Sequence, residues 1–454
     1  MNFIDTSVFE LFKTGPGPSS SHTIGPMSAA ADFLSCLRVL DKDILDAART
    51  VEIDLYGSLS ATGKGHGTDR AVLAGLLDQE PQSCSAVFLE SMNRDQGVEF
   101  RIEVPGHKLR TGWNHVHFQG MNTAFPFSNT LVFRLTGPEG DLWEKEYYSV
   151  GGGFVQWKGW MPPEKNPPAH PYSTMTELRN IVRRKRIDLH TAILENEKAI
   201  TGRTEVEIRD GLDAVVDSME ESVQNGLASG GVLPGPIGLH RKARVLHRRA
   251  LKLQDTPEGF LVALSAYAFA TAEENAAGHR IVTAPTAGSC GVMPALVHML
   301  VHHDRISRRE LQRGLLAAAA VGFVAKHNAS ISGAEVGCQG EIGVAAAMAA
   351  AMVAHARGHR IRIVENAAEI ALEHHLGLTC DPVFGQVQIP CIERNAMGAL
   401  KAYTAYLIAS AEVSKHHKVD LDQTIRAMAE TGRDMSAKYK ETSTGGLALS
   451  VVQC

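Results

Sequence analysis

Three cysteines in the last third of the chain, Cys338, Cys380 and Cys391, have the chemistry and the separation to hold a metal cluster. No two of them form a C-x-x-C pair, which excludes the usual ferredoxin run and the usual zinc-ribbon spacing. Three separated thiolates suit a cubane cluster in which the protein binds three irons and leaves one open. An open iron is a Lewis acid that can bind a substrate hydroxyl and carboxylate. Free cysteines are also often small buried hydrophobic residues, so spacing alone leaves both interpretations open.

The residues around each cysteine favour the metal interpretation. Cys338 lies among glycines, Cys380 precedes an Asp-Pro pair, and Cys391 follows a proline. These surroundings predict a loop or a helix end, from which a ligand can point into a cavity. A fourth cysteine, Cys290, is in a turn and is predicted not to be a ligand.

A glycine-rich segment at residues 57–70, GSLSATGKGHGTDR, places a histidine between a predicted strand and a predicted helix. The phosphate-loop order G-x-x-x-x-G-K-[ST] is absent because Gly65 follows Lys64, so the segment does not predict a nucleotide site. His66 is flanked by Gly65 and Gly67, and such a backbone can approach a ligand closely. A merely exposed loop histidine is the alternative.

Hydroxyl-bearing residues and His22 follow a Pro/Gly turn in the segment 15–26, GPGPSSSHTIGP, and precede a predicted helix at 27–34. Hydroxyls and free backbone N–H groups at a helix N-terminus bind anions, which suits a substrate carboxylate. An ordinary Ser/Thr helix cap with a surface histidine is equally compatible with the pattern.

Two further loops, 273–278 (EENAAG) and 283–291 (TAPTAGSCG), combine small residues with hydroxyls and an amide. Asn275 and Thr286 are the candidates there for contacts with a substrate carboxylate or amino group. A helix end and a tight turn packed on a helical bundle would give the same composition.

Longer strings in the C-terminal third resemble the signature of bacterial iron–sulfur-dependent L-serine dehydratases. The matching strings are HNASISGAEVGCQGE at 327–341, IPCIERNA at 389–396, TGRDM at 431–435, YKET at 439–442 and GGLA at 445–448. The Ser-Ser-His-Thr and Gly-His-Gly-Thr-Asp segments upstream also match the family pattern. The resemblance therefore covers nearly the whole chain in family order.

The resemblance implies a [4Fe–4S] hydro-lyase with Cys338, Cys380 and Cys391 as cluster ligands. It favours His66 as the catalytic base, with His22 as the second candidate. The residues implied to contact the substrate are Ser19, Ser20, Ser21, Thr23, Gly67, Thr68, Asn275 and Thr286.

Two positions depart from the family pattern. The family usually has asparagine where this chain has Ala287, which removes one polar contact, and FSNT at 127–130 replaces a segment of the His-Pro-Asn-Gly type. Both departures bear on substrate preference rather than on the reaction class.

The implied reaction removes water and then ammonia from L-serine to give pyruvate. A cluster iron can bind the β-hydroxyl and the carboxylate, and a neutral His66 imidazole can take the α-proton. No lysine segment with a phosphate-binding glycine loop indicates pyridoxal phosphate, so we expect the cluster and no pyridoxal phosphate. Two alternatives stay open: a related lyase acting on L-cysteine or L-threonine, and a non-catalytic iron–sulfur sensor.

The last residue of the sequence, Cys454, combines a thiol with an α-carboxylate, the kind of pairing that a substrate presents to an open iron. Gly445 and Gly446 could act as a hinge for the segment 447–453. We predict that this tail folds into the cavity when substrate is absent, with Cys454 as the resting-state fourth ligand. A frayed terminus with an uninvolved thiol is the alternative.

The elements that position these residues are predicted to form an α+β N-terminal domain followed by a mostly all-α domain built round the cluster. Alternation predicts strands at 51–56, 98–104 and 131–135, and helical periodicity predicts a helix at 71–77. Later stretches are helical and rich in alanine, which suits closely packed helices around a buried site, at 315–320, 344–356 and 396–411.

Glycines at 151–153 and five prolines between residues 160 and 172 interrupt both periodicities. We therefore predict an α+β domain of the serine dehydratase β type over 1–155, a proline-rich linker over 156–175 and the catalytic, cluster-binding domain over 176–454.

Composition limits the partners. A net charge of −5 and a pI near 6.5 give no reason to expect nucleic acid or an anionic membrane. The longest apolar run, 342–354, is too short to span a bilayer, and the N-terminus has no signal-peptide pattern. Seven scattered cysteines do not indicate a disulfide framework. We expect a cytoplasmic homodimer acting on a small amino acid.

Overall fold

The N-terminal region is built on a mixed β-sheet. The computed structural model describes residues 3–92, 97–120, 124–161 and 165–452. Within these ranges, seven strands form one sheet in which β2 runs antiparallel to β6 and parallel to β4 and β5, and a separate pair joins the first strand to the last. The strands are β1 (Thr14–Pro16), β2 (Thr50–Leu55), β3 (Glu99–Val104), β4 (His107–Gly112), β5 (Val116–Phe118), β6 (Thr130–Gly137), β7 (Gly140–Ser149), β8 (Val155–Trp157) and β9 (Arg280–Val282).

Helices flank this sheet and make up most of the chain after it. In the N-terminal region they are α1 (Val8–Leu11), α2 (Gly25–Leu37), α3 (Lys42–Ala47), α4 (Ser58–Ala61), α5 (Gly63–His66), α6 (Thr68–Leu76) and α7 (Ala86–Ser91). The later ones are α8 (Met175–Lys185), α9 (Leu189–Thr201), α10 (Glu205–Ala228), α11 (Ala243–Lys252), α12 (Pro257–Ala276), α13 (Val292–His302), α14 (Arg308–Asn328), α15 (Gly333–Val336), α16 (Val344–Ala356), α17 (Ile361–Glu373), α18 (Cys391–Ala411), α19 (Leu421–Asp434) and α20 (Leu447–Val452).

The sheet shares a hydrophobic core with α2 and α6. Val51, Ile53 and Leu55 alternate along β2, so their side chains point to one face, and all three are fully buried. Phe33 of α2 stacks on Phe133 of β6 with ring centroids 4.9 Å apart. The predicted strands are found as β2, β3 and β6, and the predicted helix is found as α6. The predicted α+β character of this region is confirmed.

Alanine-rich helices form the core of the C-terminal region. α16 is buried along almost its whole length and packs against α14, α17 and α18. Gly322 of α14 lies so close to Met348 of α16 that an added Cβ would come within 3.0 Å of the methionine sulfur. Small side chains therefore let these helices approach closely, and the predicted helical region is confirmed. None of the helices in the described ranges has the length and apolar content that crossing a bilayer requires.

The described residues that precede β1 pack into the helical region rather than onto the sheet. Ile4, Val8 and Leu11 are buried within the helical core. β1 pairs antiparallel with β9, with Thr14 opposite Val282. The segment that carries His22 follows β1 and precedes α2. It therefore connects a strand paired with the helical region to a helix that packs on the sheet.

Candidate active site

Two short segments bring His22 and His66 together. His22 lies in a π-helical turn, Ser20–Ile24, just before α2, and His66 is the last residue of α5. The hydroxyl of Thr23 donates to the carbonyl of His66 at 2.9 Å, and the hydroxyl of Thr68 donates to the carbonyl of His22 at 2.7 Å. These reciprocal bonds hold the two imidazole rings with their centroids 4.4 Å apart.

His66 is a neutral imidazole with one fixed tautomer. Its Nδ1 lies 2.9 Å from the carbonyl oxygen of Thr62. A carbonyl only accepts, so Nδ1 carries the hydrogen and Nε2 carries a lone pair. Nε2 is buried and has no hydrogen-bond partner among the described residues. Burial lowers the pKa of His66 to about 4, so the ring is neutral at physiological pH and Nε2 can accept a proton.

His22 has the opposite tautomer. Its Nε2 lies 3.1 Å from Ser58 Oγ and 3.0 Å from Thr62 Oγ1. Both hydroxyls give their hydrogens to backbone carbonyls, those of Glu441 and Ser58, so Nε2 donates to them. Nδ1 then accepts from Ser21 Oγ at 2.9 Å. Burial holds the pKa of His22 well below its usual value, and the lone pair of this neutral ring is already used.

Three separate segments bring the thiols of Cys338, Cys380 and Cys391 to one cavity of about 370 Å³. Cys338 precedes a π-helical turn and Cys391 is the first residue of α18. The backbone N–H of Cys380 donates to the carbonyl of Tyr439 at 2.8 Å. All three cysteines are buried. The cavity is also lined by Ser19, His66, Gly288, Glu341, Ile342, Pro382, Val387 and Glu441.

The carboxyl group of Glu341 connects two of the thiols to the 283–291 loop. Its Oε1 accepts from Thr286 Oγ1 at 2.8 Å, and its Oε2 lies 3.8 Å from the sulfurs of Cys338 and Cys380. One oxygen of Glu341 and the two sulfurs lie within 4.8 Å of one another. Burial raises the pKa of Glu341.

Arg394 supplies positive charge beside the thiols. Its guanidinium donates to the carbonyl of Thr379 at 2.7 Å and to the carboxylate of Asp381 at 3.3 Å. Burial opposes the charge of Arg394, but the neighbouring cysteines and Asp381 outweigh it and raise the pKa. A fixed cation favours thiolates, which are the form that binds metal. The donor set and its charge therefore fit a thiolate-bound metal group.

The three serines predicted to contact the substrate all have partners within the protein. Ser19 lines the cysteine cavity, and its Oγ accepts from the backbone N–H of His22 at 3.2 Å. Ser20 Oγ accepts from the N–H of Ala287 at 3.4 Å, and Ser21 Oγ bonds the ring of His22. Of the three serines, only Ser19 lines the cysteine cavity.

The remaining predicted substrate residues lie at different places around the site. Gly67, with φ 65°, joins α5 to α6 and lines a second pocket. Asn275 Nδ2 donates to the carbonyl of Pro18 at 2.8 Å, and its Oδ1 is buried without a partner among the described residues. Thr286 bonds Glu341 on the cysteine side. The two predicted threonines, Thr23 and Thr68, use their hydroxyls in the reciprocal bonds between the histidine segments.

The second pocket, of about 830 Å³ including its open mouth, lies beside the first. Lys64, Arg70, Gly67 and Gln386 contribute to its walls. His66 lines both this pocket and the cysteine cavity, so the two pockets meet at this residue. Two cationic side chains in the open pocket suit a substrate that carries a carboxylate.

Sequence patterns did not single out five residues that the structure brings to the site: Ser58, Thr62, Glu341, Arg394 and Glu441. Ser58 and Thr62 are buried hydroxyl residues that bond His22, and Glu341 and Glu441 line the cysteine cavity. Glu341, Arg394 and Glu441 lie inside the strings that carried the family resemblance, whereas Ser58 and Thr62 lie in the glycine-rich segment 57–70, upstream of its matching part. A polar residue inside such a string was the available signal.

Two other predictions concern cysteines that are not in the proposed set of three ligands. Cys454 lies outside the described residues, so its role as a fourth ligand stays a prediction. The backbone N–H of Leu447 donates to Asp381 at 2.7 Å, so the segment leading toward Cys454 starts beside the loop that carries Cys380. Cys290 is fully buried and is not part of the cavity wall.

The fold and the site define a two-part protein in which an α+β region and a helical region share one cavity lined by cysteines and a histidine. Comparisons with known proteins agree with this division. Residues 7–160 match the family model of the serine dehydratase beta chain, and residues 184–448 match that of the serine dehydratase alpha chain.

Full-length relatives show the same similarity. The chain is 43% identical over 458 residues to the L-serine dehydratase of Streptomyces coelicolor, with 99% of each chain covered. It is 42% identical over 467 residues to L-serine dehydratase 2 of Escherichia coli, again with 99% of each covered. It is 44% identical over 465 residues to the L-serine dehydratase of Mycobacterium bovis, with 98% of each covered. The chain belongs to the serine dehydratase family, with its alpha and beta parts in one polypeptide, which confirms the predicted family.

Proposed function

We propose that this chain is an L-serine dehydratase that converts L-serine to pyruvate and ammonia. Membership of the serine dehydratase family over both parts of the chain supports the proposal. The observation that carries it is His66 Nε2, a buried lone pair without a partner among the described residues, in a residue that lines the cysteine cavity. A base that takes the α-proton and a metal group that binds the leaving hydroxyl can together remove water from a hydroxy amino acid.

The metal group proposed for the thiols is a [4Fe–4S] cluster held by Cys338, Cys380 and Cys391. Three buried cysteines from separate segments fit the thiolate ligands of such a cluster, and Arg394 offsets part of their negative charge. When bound, the cluster would supply a Lewis-acidic iron for the hydroxyl and carboxylate of the substrate.

His66 is proposed as the general base. The bond from its Nδ1 to Thr62 leaves Nε2 as the only proton acceptor of the ring. Nε2 takes the α-proton, the electrons of the Cα–H bond form the Cα–Cβ double bond, and hydroxide leaves from Cβ. The aminoacrylate so released tautomerises to an imine, and water hydrolyses the imine to pyruvate and ammonia. The overall reaction involves no change of oxidation state in the protein.

His22 is proposed as a positioning residue rather than as the base, because both of its nitrogens have hydrogen-bond partners. Ser19 and Asn275 stay proposed substrate contacts: Ser19 lines the cavity and Asn275 has a buried oxygen without a partner among the described residues. Lys64 and Arg70 are proposed to guide the substrate carboxylate into the open pocket.

We further propose that the enzyme works in a reducing cytoplasm as a homodimer. A reducing compartment suits an iron without a cysteine ligand, because such an iron is easily lost on oxidation. Anaerobic size-exclusion chromatography with light scattering checks the dimer.

The test is anaerobic purification or reconstitution, followed by an iron and sulfide count and an assay of pyruvate release from L-serine. We expect four irons per chain and release of pyruvate and ammonia in equal amounts. L-Threonine and L-cysteine serve as competing substrates in the same assay. Higher kcat/KM for either of them would move the assignment to a related lyase. Absence of turnover with an intact four-iron cluster would support a sensor instead.

A further inference from the structure

Glu220, His298 and His302 form a cluster of metal-ligating side chains away from the active site. Glu220 lies on α10, and the two histidines lie on α13. Histidines four positions apart lie on the same face of a helix. One ligand atom from each of the three side chains lies within 4.8 Å of the other two. No step of the proposed reaction uses these residues.

Both imidazoles contact the same carboxylate. His298 Nδ1 lies 3.1 and 3.2 Å from the two oxygens of Glu220, and His302 Nε2 lies 2.6 Å from Oε2. Ligand atoms around a tetrahedral Zn²⁺ are roughly 3.3 Å apart, because each metal–ligand bond is about 2.0–2.1 Å long. The contacts seen here would need to open by less than about 1 Å to admit an ion.

Neighbouring side chains hold this cluster half-buried. The ring of Tyr267 packs against His298 with centroids 4.5 Å apart, and the rings of His298 and His302 are 4.2 Å apart. The side chains of Glu220 and His298 are 13% and 12% exposed, whereas that of His302 is 47% exposed. The cluster is therefore pre-formed on its inner side and open to water on its outer side.

We propose that Glu220, His298 and His302 form a binding site for a borderline divalent transition-metal ion such as Zn²⁺. Two imidazoles and one carboxylate suit this class of ion, whereas Ca²⁺ and Mg²⁺ prefer ligands that are all oxygen. A metal ion needs a lone pair on each ligating ring nitrogen, so the hydrogen that such a nitrogen shares with the carboxylate moves to the other nitrogen of the neutral ring. A water molecule completes the coordination.

The bound ion cross-links α10 to α13. α13 starts directly after the 283–291 loop, and the N–H of Gly291 donates to Asn395 Oδ1 at 2.8 Å. His298 is roughly 9 Å along the helix axis from the start of α13. The metal thus stabilises the helix that follows the Thr286 loop, although none of its three ligands lines the cysteine cavity.

Zinc binding to the anaerobically purified protein, with its active-site metal group in place, tests the proposal. Each protein is equilibrated with a small excess of Zn²⁺, separated from unbound metal and analysed for zinc per chain. His302→Ala and Glu220→Gln each remove one ligand. His303→Ala is the matched control. It removes a neighbouring histidine that contacts the hydroxyl of Tyr267 at 2.9 Å and is not one of the three clustered side chains. All these proteins keep every cysteine, so zinc bound by thiols cancels in the comparison.

We expect the wild type and His303→Ala to bind one equivalent of Zn²⁺ more than His302→Ala and Glu220→Gln do. Loss of a ligand should weaken binding by more than the roughly 10–100-fold that loss of an outer partner causes. Added Zn²⁺ should raise the Tm of the wild type but not that of His302→Ala, because the ion binds the native state. Equal zinc content in the wild type and His302→Ala would overturn the proposal, as would loss of the ion from His303→Ala.

Discussion

The histidines and the cysteines of the active site are held in different ways. The rings of His22 and His66 have complementary tautomers, each fixed by hydroxyls or carbonyls of neighbouring segments. The thiols of Cys338, Cys380 and Cys391 come from three segments, and the contacts of the first two with Glu341 are long, at 3.8 Å. The proposed base is therefore oriented by hydrogen bonds within the protein, whereas two of the proposed metal ligands have long contacts with Glu341.

The pKa values of the thiols and of His66 also differ. Burial raises the pKa of Cys391 well above its usual value. A hydrogen bond with Cys338 and burial raise that of Cys380 in the same way. Without a metal these thiols keep their protons, and metal binding must displace them. His66, with a pKa near 4, is already in its base form. Changes to the cysteines should therefore remove metal and activity together, whereas changes to the histidines should remove activity alone.

The largest effect is expected from replacing a cysteine. Cys380→Ala should lose both the brown chromophore and pyruvate formation completely, because two thiolates cannot hold the proposed cluster in place. Anaerobic visible spectroscopy, an iron count and the pyruvate assay measure the three properties on one sample. Cys338→Ala and Cys391→Ala should behave in the same way.

Cys290→Ala is the matched control for this change. Cys290 is as deeply buried as the three predicted ligands, but its thiol contacts the carbonyl of Thr271 at 3.9 Å. This variant should keep the chromophore and most of the activity. An intact four-iron spectrum in Cys380→Ala would show that the proposed ligand set is wrong.

Replacing the base should separate metal content from turnover. His66→Ala should keep the iron content but lose about 10²–10⁴-fold in kcat, the usual contribution of a general base. Iron counts and kcat measured on the same preparation check this split. Loss of iron comparable to the loss of activity would instead give His66 a structural or ligand role.

His375→Gln is the matched control for His66→Ala. His375 is also buried, its pKa is also lowered to about 4 by burial, and its Nδ1 donates to the carbonyl of Ala371 at 2.7 Å. It does not line either active-site pocket. The variant should unfold at a lower temperature with kcat nearly unchanged, which would separate catalysis from the general cost of losing a buried imidazole.

Local sequence patterns were enough to predict the two regions and the groups with distinctive chemistry. Periodicity predicted β2, β6 and the alanine-rich helices, and the family strings included Cys338, Cys391 and both histidines. Cys380 was predicted from its position before an Asp-Pro pair and from the ligand set that the resemblance implies. The hydrogen-bond partners could not be predicted in this way, because they join distant parts of the chain. The hydroxyl of Ser58, for example, donates to the carbonyl of Glu441, 383 residues away. Only the folded chain shows that these contacts fix the tautomer of His22.

An intermediate effect is expected from Glu341, which contacts two of the thiols and the hydroxyl of Thr286. Glu341→Gln keeps an acceptor for Thr286 but removes the carboxyl group beside the thiols of Cys338 and Cys380. Loss of such an outer partner should lower cluster retention or activity by about 10–100-fold. The rate of iron loss to a chelator, measured anaerobically, checks the expected value.

Glu197→Gln is the control for Glu341→Gln, because Glu197 is a buried carboxyl that accepts from Ser7 Oγ at 2.6 Å in the helical core. It should leave iron loss unchanged. Equal rates of iron loss in the two variants would show that the carboxyl of Glu341 does not support the cluster.

The smallest effect is expected from Thr62→Val, which tests the histidine side alone. The change removes the hydroxyl that accepts from His22 Nε2 but keeps the backbone carbonyl that accepts from His66 Nδ1. Ser58 Oγ still accepts from His22, so the ring loses one of two acceptors. A net hydrogen bond contributes about 0.5–1.5 kcal/mol, which corresponds to roughly 2–10-fold in kcat. Iron content should not change.

Thr111→Val is the control. It removes a buried hydroxyl that donates to the carbonyl of Val51 in the sheet, and it should leave kcat unchanged. A loss in Thr62→Val as large as that in His66→Ala would mean that His22, rather than His66, takes the α-proton.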